Sequence, residues 1–298
     1  MKILLFGVNG QVGWELKRLL ESSEDIISLD RNQANFENPG ELKNILMKVR
    51  PRVIINAAAY TNVDKAESEI EKAYLINAKA VGVLAESAKH LGSTLIHYST
   101  DYVFDGSKDV SYVESDKTCP INTYGKSKLE GEKAIFLSGC EYVIFRTSWV
   151  YGRHGNNFIK TILRLAQEKD SLQIVDDQVG APTSAELIAD ITTLIIQKIK
   201  NKSSINNELK GLYNLVPSGE TTWYDFARFI IEQSMEAGLK FRVSLDSLLP
   251  ISSENYPLPA KRPKNSRLST EKLTSILGIE MPSWQQNASK VIAELIKG

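Results

Sequence analysis

The run Ile3-Leu4-Leu5-Phe6-Gly7-Val8-Asn9-Gly10-Gln11-Val12-Gly13 opens the chain and decides how the rest is read. Its consecutive apolar residues suit a strand buried on both faces, and the glycines behind them, spaced G-x-x-G-x-x-G, open a helical pattern. Glycine at these positions permits a tight turn, close approach of backbone to a pyrophosphate and close helix packing, while the helix N-terminus offers free N–H groups to the anion. Asp30 stands 17 residues after Gly13, at the end of the next apolar run, where a carboxylate accepts hydrogen bonds from ribose hydroxyls. The glycines alone fit any strand-to-helix turn; with Asp30 behind them the stretch predicts a dinucleotide-binding turn.

Outward from this turn, short apolar runs alternate with stretches of helical period. Ile3–Phe6, Ile26–Leu29, Val53–Asn56, Thr94–Ser99, Tyr142–Arg146 and Leu172–Val175 read as strands separated by long crossovers. That rhythm predicts an α/β fold, a doubly wound parallel sheet of Rossmann type covered on both faces, with ligands at the carboxyl ends of its strands. After residue 175 the rhythm loosens into a helix Ser184–Lys200, a polar break Lys200–Asn207, a strand Leu212–Leu215 and a helix Trp223–Glu236. An irregular segment Pro250–Pro263 and terminal helices near Thr270–Leu277 and Gln285–Ile296 follow. Residues 1–175 are expected to form the dinucleotide-binding domain, and residues 176–298 mainly a smaller C-terminal substrate-binding lobe, the chain being free to cross between them.

Composition narrows the function. The 298 residues carry 36 Lys+Arg against 36 Asp+Glu, so no bulk basic surface invites nucleic acid or anionic lipid. Cysteines Cys119 and Cys140 and histidines His90, His97 and His154 are too scattered for a closed zinc site. The first apolar run is cut too early for a signal segment, and no long uncharged stretch follows. A chain working in the reducing cytoplasm, without a membrane span, is expected.

Chemistry gathers at later strand ends. Asn56-Ala57-Ala58-Ala59-Tyr60 ends the third strand with small residues that let the chain pass close to a cofactor, although close packing of the sheet alone would ask for the same. Ser99-Thr100-Asp101-Tyr102 ends the fourth strand, and Tyr124-Gly125-Lys126-Ser127-Lys128 begins a helix 24 residues after Thr100. The Y-x-x-x-K spacing puts Tyr124 and Lys128 on one helix face about 6 Å apart. An ammonium beside a phenol stabilises the phenolate, so the pair is expected to exchange a proton near neutrality, with the Thr100 hydroxyl holding a substrate carbonyl.

These residues resemble the extended short-chain dehydrogenase/reductases and, within them, the dTDP-4-dehydrorhamnose reductase family. The resemblance covers essentially the whole chain. It rests on Leu4–Gly7 with Gly10–Gly13, on Asn56–Tyr60 with Val63–Glu67, and on His97–Phe104. Beyond the generic dehydrogenase pattern it extends to Arg146–Tyr151, Gly155–Phe158, Gln178–Thr183, and Arg262-Pro263 with Asn265–Leu268. It implies NAD(P)H-dependent reduction of the C4 ketone of dTDP-4-dehydro-β-L-rhamnose, the last step of dTDP-rhamnose biosynthesis. Another nucleotide-sugar reductase or epimerase of the superfamily, or a non-catalytic dinucleotide-binding regulatory subunit, is the alternative.

The resemblance further implies a catalytic group Thr100, Tyr124 and Lys128. It places a cofactor along Gly7, Gly10, Gln11, Val12, Gly13, Asp30, Arg31, Asn35, Phe36, Ala57, Ala58, Ala59, Tyr60, Tyr98, Tyr124 and Lys128. Thr100, Asp101 and Trp149 would meet the sugar nucleotide. An indole such as Trp149 offers a flat apolar face to a deoxysugar, though it reads equally as a core aromatic; Arg262 or the Asn157 amide suits a diphosphate, though Arg262 reads equally as a solvated charge. Asp30 favours NADH and Arg31 offers a partner to the extra phosphate of NADPH, so use of both is expected. Some members dimerise around a divalent ion held by glutamates. Glu15, Glu186 and Glu294 stand at the matching positions and would suit Mg²⁺ in a homodimer, or serve only as solvated helix charges.

Overall fold

The computed structural model describes residues 1–22, 24–201 and 209–297. Six parallel strands form the central sheet: Lys2–Phe6, Asp25–Leu29, Val53–Asn56, Thr94–Thr100, Glu141–Thr147 and Gly211–Asn214. Numbered in that order they lie 6-5-4-3-1-2 across the sheet. The direction of winding reverses between the first and third strands, which opens a crevice at their carboxyl ends. The doubly wound arrangement is the one expected.

Alternation along the first strand shows how both faces are sealed. Ile3 and Leu5 pack with Leu16, Leu20 and the helix Ala185–Lys200, whereas Leu4 and Phe6 pack with Leu42, Leu46 and the helix Ala80–Leu91. Helix boundaries follow local chemistry. Asn122 and Ser184 cap helices Thr123–Ser138 and Ala185–Lys200 by accepting backbone N–H groups, and Gly92 and Gly139 end helices in left-handed conformation.

Two expectations are corrected. Leu172–Val175 is a strand, but it pairs with Leu248–Ile251 in the second lobe, and the sixth position of the sheet goes to Gly211–Asn214. That pairing also puts a strand into the segment Pro250–Pro263, expected to be irregular: Pro250 sits opposite Ile174. The chain crosses between the two cores on either side of residue 175, as the expected division left it free to do. Helix Ala185–Lys200 and strand Gly211–Asn214 complete the first lobe, while Tyr151, Ile159, Ile162 and Ala166 already belong with Phe226, Ile230, Trp284 and Val291 in the core of the second. The break expected at Lys200–Asn207 lies, from residue 202 onward, outside the described residues. No described helix is long and apolar enough to cross a membrane.

Candidate active site

The glycine turn shapes one end of the crevice. Gly7 has φ +82°, and a Cβ built on it would lie 2.5 Å from the Ala58 nitrogen, so only glycine lets the third strand's end run against the turn. At Gly13 a Cβ would come within 2.1 Å of the Gly7 carbonyl oxygen. Gly10 is the N-cap of helix Gln11–Leu20 and offers no side-chain cap, which leaves the first-turn N–H groups for an anion. These features fit a dinucleotide pyrophosphate. A cavity of about 1050 Å³ runs from this turn to Tyr124, lined by every residue expected at the cofactor except Gly13, which supports the turn from behind.

At its outer end the cavity is polar and open. Asp30 Oδ1 accepts from the backbone N–H groups of Asn32 and Gln33, and Oδ2 receives only a long contact of 3.4 Å from Asn9 Nδ2. Arg31 pairs with Glu37, which Lys72 also reaches at 3.3 Å. Both cations hold the Glu37 carboxyl below its usual range. Phe36 packs edge-on against Phe6, and Tyr98, although it lines the cavity, turns its hydroxyl away to Thr192 at 2.8 Å.

The inner end is dry. Thr100 ends the fourth strand, and its hydroxyl donates to Asp101 Oδ1 at 2.9 Å while accepting from the Tyr102 N–H. Ser266, from the second lobe, donates to Asp101 Oδ2 at 2.5 Å, and burial pushes this carboxyl up to about 6 despite both bonds. Tyr124 lies in the first turn of helix Thr123–Ser138, edge-on to Tyr102. Burial raises the Tyr124 hydroxyl above its ordinary value, partly opposed by the Thr100 hydrogen bond and reinforced by the Asp101 charge. The Lys128 Nζ donates to the Tyr98 carbonyl at 2.5 Å, and burial lowers it to about 8.

Trp149 and Asp101 line the cavity; Asn157 and Arg262 do not. The Asn157 Oδ1 caps helix Phe158–Glu168, and its Nδ2 is used by Gly152 and Gln11 at 2.6 and 3.0 Å, which leaves nothing for a diphosphate. Arg262 forks onto Asp64 at 2.8 and 3.1 Å, tying the C-terminal segment to the first lobe. Trp149 adopts φ +49° and stacks on Trp223, ring centroids 3.7 Å apart. A Cβ on Gly180 would strike its ring at 2.9 Å. Trp223 and Thr147, whose buried hydroxyl has no hydrogen-bond partner among the described residues, also line the cavity and escaped the sequence reading. A tryptophan opening an amphipathic helix reads as core, and Thr147 gains meaning only by lying opposite Thr100 across the sheet.

A family model for the RmlD substrate binding domain matches residues 1–297. The chain belongs to the RmlD family. The dTDP-4-dehydrorhamnose reductase of Escherichia coli (strain K12) is 47% identical over 99% of this chain and 98% of its own length. Among solved structures, the Clostridium acetobutylicum dTDP-4-dehydrorhamnose reductase superposes with TM-score 0.91 at 36% identity, covering 99% of this chain and all of its own. The Bacillus anthracis dTDP-4-dehydrorhamnose reductase in complex with NADP superposes with TM-score 0.87 at 34% identity, covering 98% and 99%.

Two of the glutamates expected as ion ligands, Glu15 and Glu186, meet cations of the same chain. Arg18 bridges Glu15 and Glu186 at 2.8 and 3.2 Å, and Lys290 closes on Glu186 at 2.7 Å, which with the nearby charges of Glu294 and Asp190 raises the Lys290 ammonium above its ordinary value. Among the described residues no three metal-ligating side chains converge. The Mg²⁺ expected there is not supported: within this chain Glu15 and Glu186 pair with Arg18 and Lys290.

Proposed function

We propose that this chain reduces the C4 ketone of dTDP-4-dehydro-β-L-rhamnose to dTDP-β-L-rhamnose in the cytoplasm, using NADPH or NADH. The observation that carries this reading is the meeting of Tyr124 and Thr100 with Lys128 and Trp149 in the cavity that the glycine turn opens. A reduced nicotinamide, when bound, supplies the hydride. Gly7, the first-turn N–H groups beyond Gly10, Asp30 and the Ala57–Tyr60 segment would hold the dinucleotide.

Tyr124 acts as the acid. Its raised pKa keeps the hydroxyl protonated at neutral pH until negative charge builds on the substrate oxygen, and the proton then passes from Oη to that oxygen. Thr100 turns its hydroxyl from Asp101 toward the same oxygen and stabilises the developing charge. Lys128, once its ammonium faces the phenolate that remains, stabilises it by charge. Trp149, fixed by Trp223 and Gly180, provides the flat face for the deoxysugar.

The test is turnover. Oxidation of NADPH and NADH is followed optically with dTDP-4-dehydro-β-L-rhamnose, and the product is identified by NMR. Formation of dTDP-rhamnose is expected. Turnover only with a different keto sugar would move the chain to another nucleotide-sugar reductase, and dinucleotide binding with no turnover would make it a regulatory subunit.

A further inference from the structure

His97 is a buried titratable group near the reaction centre with no part in the steps above. It lies on the fourth strand, fully buried, with its ring between Asn56 and Lys128. The bonds around it fix its tautomer. The Ala58 N–H donates to Asn56 Oδ1 at 3.1 Å, so the Asn56 amide must present its Nδ2 hydrogens to His97 Nδ1, 3.1 Å away. Nδ1 is therefore the acceptor, and a neutral imidazole carries its hydrogen on Nε2. That Nε2–H points at the Lys128 Nζ, 3.4 Å away.

An N–H facing an ammonium is a donor against a donor; facing a neutral amine, it meets a lone pair. The Tyr98 carbonyl takes one hydrogen of Nζ, which leaves the lone pair free for His97. We propose that His97 is a positioning residue that acts through Lys128: its Nε2–H favours the amine form of Nζ over the ammonium, and so holds down the proton affinity of the group that must exchange a proton with the Tyr124 phenolate. The inference rests on the reductase reading for its place in the cycle but not for its test.

Other charges about Lys128 do not replace this contact. On its own helix, Glu132 favours the ammonium, but that carboxylate is spent on Arg146 of the fifth strand at 2.6 and 2.9 Å and on Ser99 at 2.5 Å. Tyr124 is protonated and Asp101 is directed to Thr100 and Ser266. Burial disfavours charge on both His97 and Lys128, and the Lys128 charge lowers His97 further. At neutral pH His97 is therefore neutral, while Lys128 is still mostly the ammonium with an enlarged share of the amine. On the proton balance of one turnover, Tyr124 gives its proton to the product alcohol, the Lys128 ammonium returns one to the phenolate, and the resulting amine is again met by the His97 N–H before solvent reprotonates it.

NMR of the unliganded full chain tests this without substrate. The ¹⁵N shifts of His97 should show Nδ1 bare and Nε2 protonated; a proton on Nδ1 would overturn the proposal whether or not any variant folds. His97→Asn keeps an acceptor for Asn56 but cannot reach Lys128. In it, the pH titration of the Lys128 side chain should move up by about one unit, tenfold in proton affinity. In the active enzyme the alkaline limb of kcat/KM should move up with it, while dinucleotide affinity stays within about threefold. His97→Gln, which restores an amide N–H near the Nε2 position, should return the titration toward that of the original chain. A Lys128 titration that stays put or falls in His97→Asn overturns the role of His97 and leaves the reductase reading untouched, whereas an inactive parent enzyme with the titration shifted as expected would overturn only the latter.

Discussion

The two ends of the cavity carry the same kinds of charged side chain in opposite settings. Behind the inner end, Arg146 and Glu132 form an ion pair whose side chains are 4% and 0% exposed; at the outer end, Arg31 and Glu37 form one whose side chains are 72% and 32% exposed. The inner pair lost its water on folding and is held by a second carboxylate bond, by Ser99 and by the Phe104 ring beneath the guanidinium. Water and salt still screen the outer pair, and its partners exchange freely. Burial, more than residue type, sets what each end could do: under the proposed function the dry end would move protons at a fixed geometry, and the wet end would choose among cofactors by small differences.

The sharpest expected effect lies at the dry end. Tyr124→Phe removes the proton and keeps the ring, so kcat should fall by about 10²–10⁴-fold while dinucleotide binding, read by fluorescence, survives. Retention of more than about a tenth of the activity would take the acid role from Tyr124.

Glu132→Gln leaves Arg146 buried without its charge partner and should cost about 3–5 kcal/mol in urea unfolding. A loss below about 1 kcal/mol, typical of exposed pairs, would erase the contrast between the two ends.

Asp101 sharpens the contrast through pH. Its carboxyl is raised from 3.8 to about 6 in the folded protein, so the stability it contributes is complete below about pH 4 and is lost as pH rises through 6, in all on the order of 2–3 kcal/mol. Comparing unfolding of the parent chain and Asp101→Asn from acid to neutral pH isolates this slope. A difference that does not change with pH would contradict it.

The smallest effect belongs to the wet end. Arg31→Ala should lower kcat/KM with NADPH by no more than about tenfold, hardly change it with NADH, and matter less as salt is raised. Equal loss with both cofactors would show that Arg31 does not read the extra phosphate.

Much of this was legible in the chain because strand ends and glycine turns are local. Ile3–Phe6, Val53–Asn56 and Thr94–Ser99 declare themselves by continuous apolar runs, and the residues that follow each run line the cavity because a parallel sheet sends all its carboxyl ends to one edge. Leu172–Val175 misled because its pattern is as good as theirs; its partner Leu248–Ile251 lies far along the chain, and pattern alone does not choose between sheets.

The sequence by itself determined the doubly wound fold, the dinucleotide turn and the side chains offered for catalysis, since these depend on apolar periodicity, on glycine's backbone freedom and on spacing within one helix. Only the tertiary structure decided how those side chains are spent. Asn157 and Arg262 became a helix cap and a lobe tie, and Glu15 and Glu186 met Arg18. Lys128 met the Tyr98 carbonyl and His97. In each case the deciding partner is brought in from another element of the fold or another turn of the helix, and a hydrogen-bonding group in a desolvated place binds whichever complementary group the packing sets within about 3 Å.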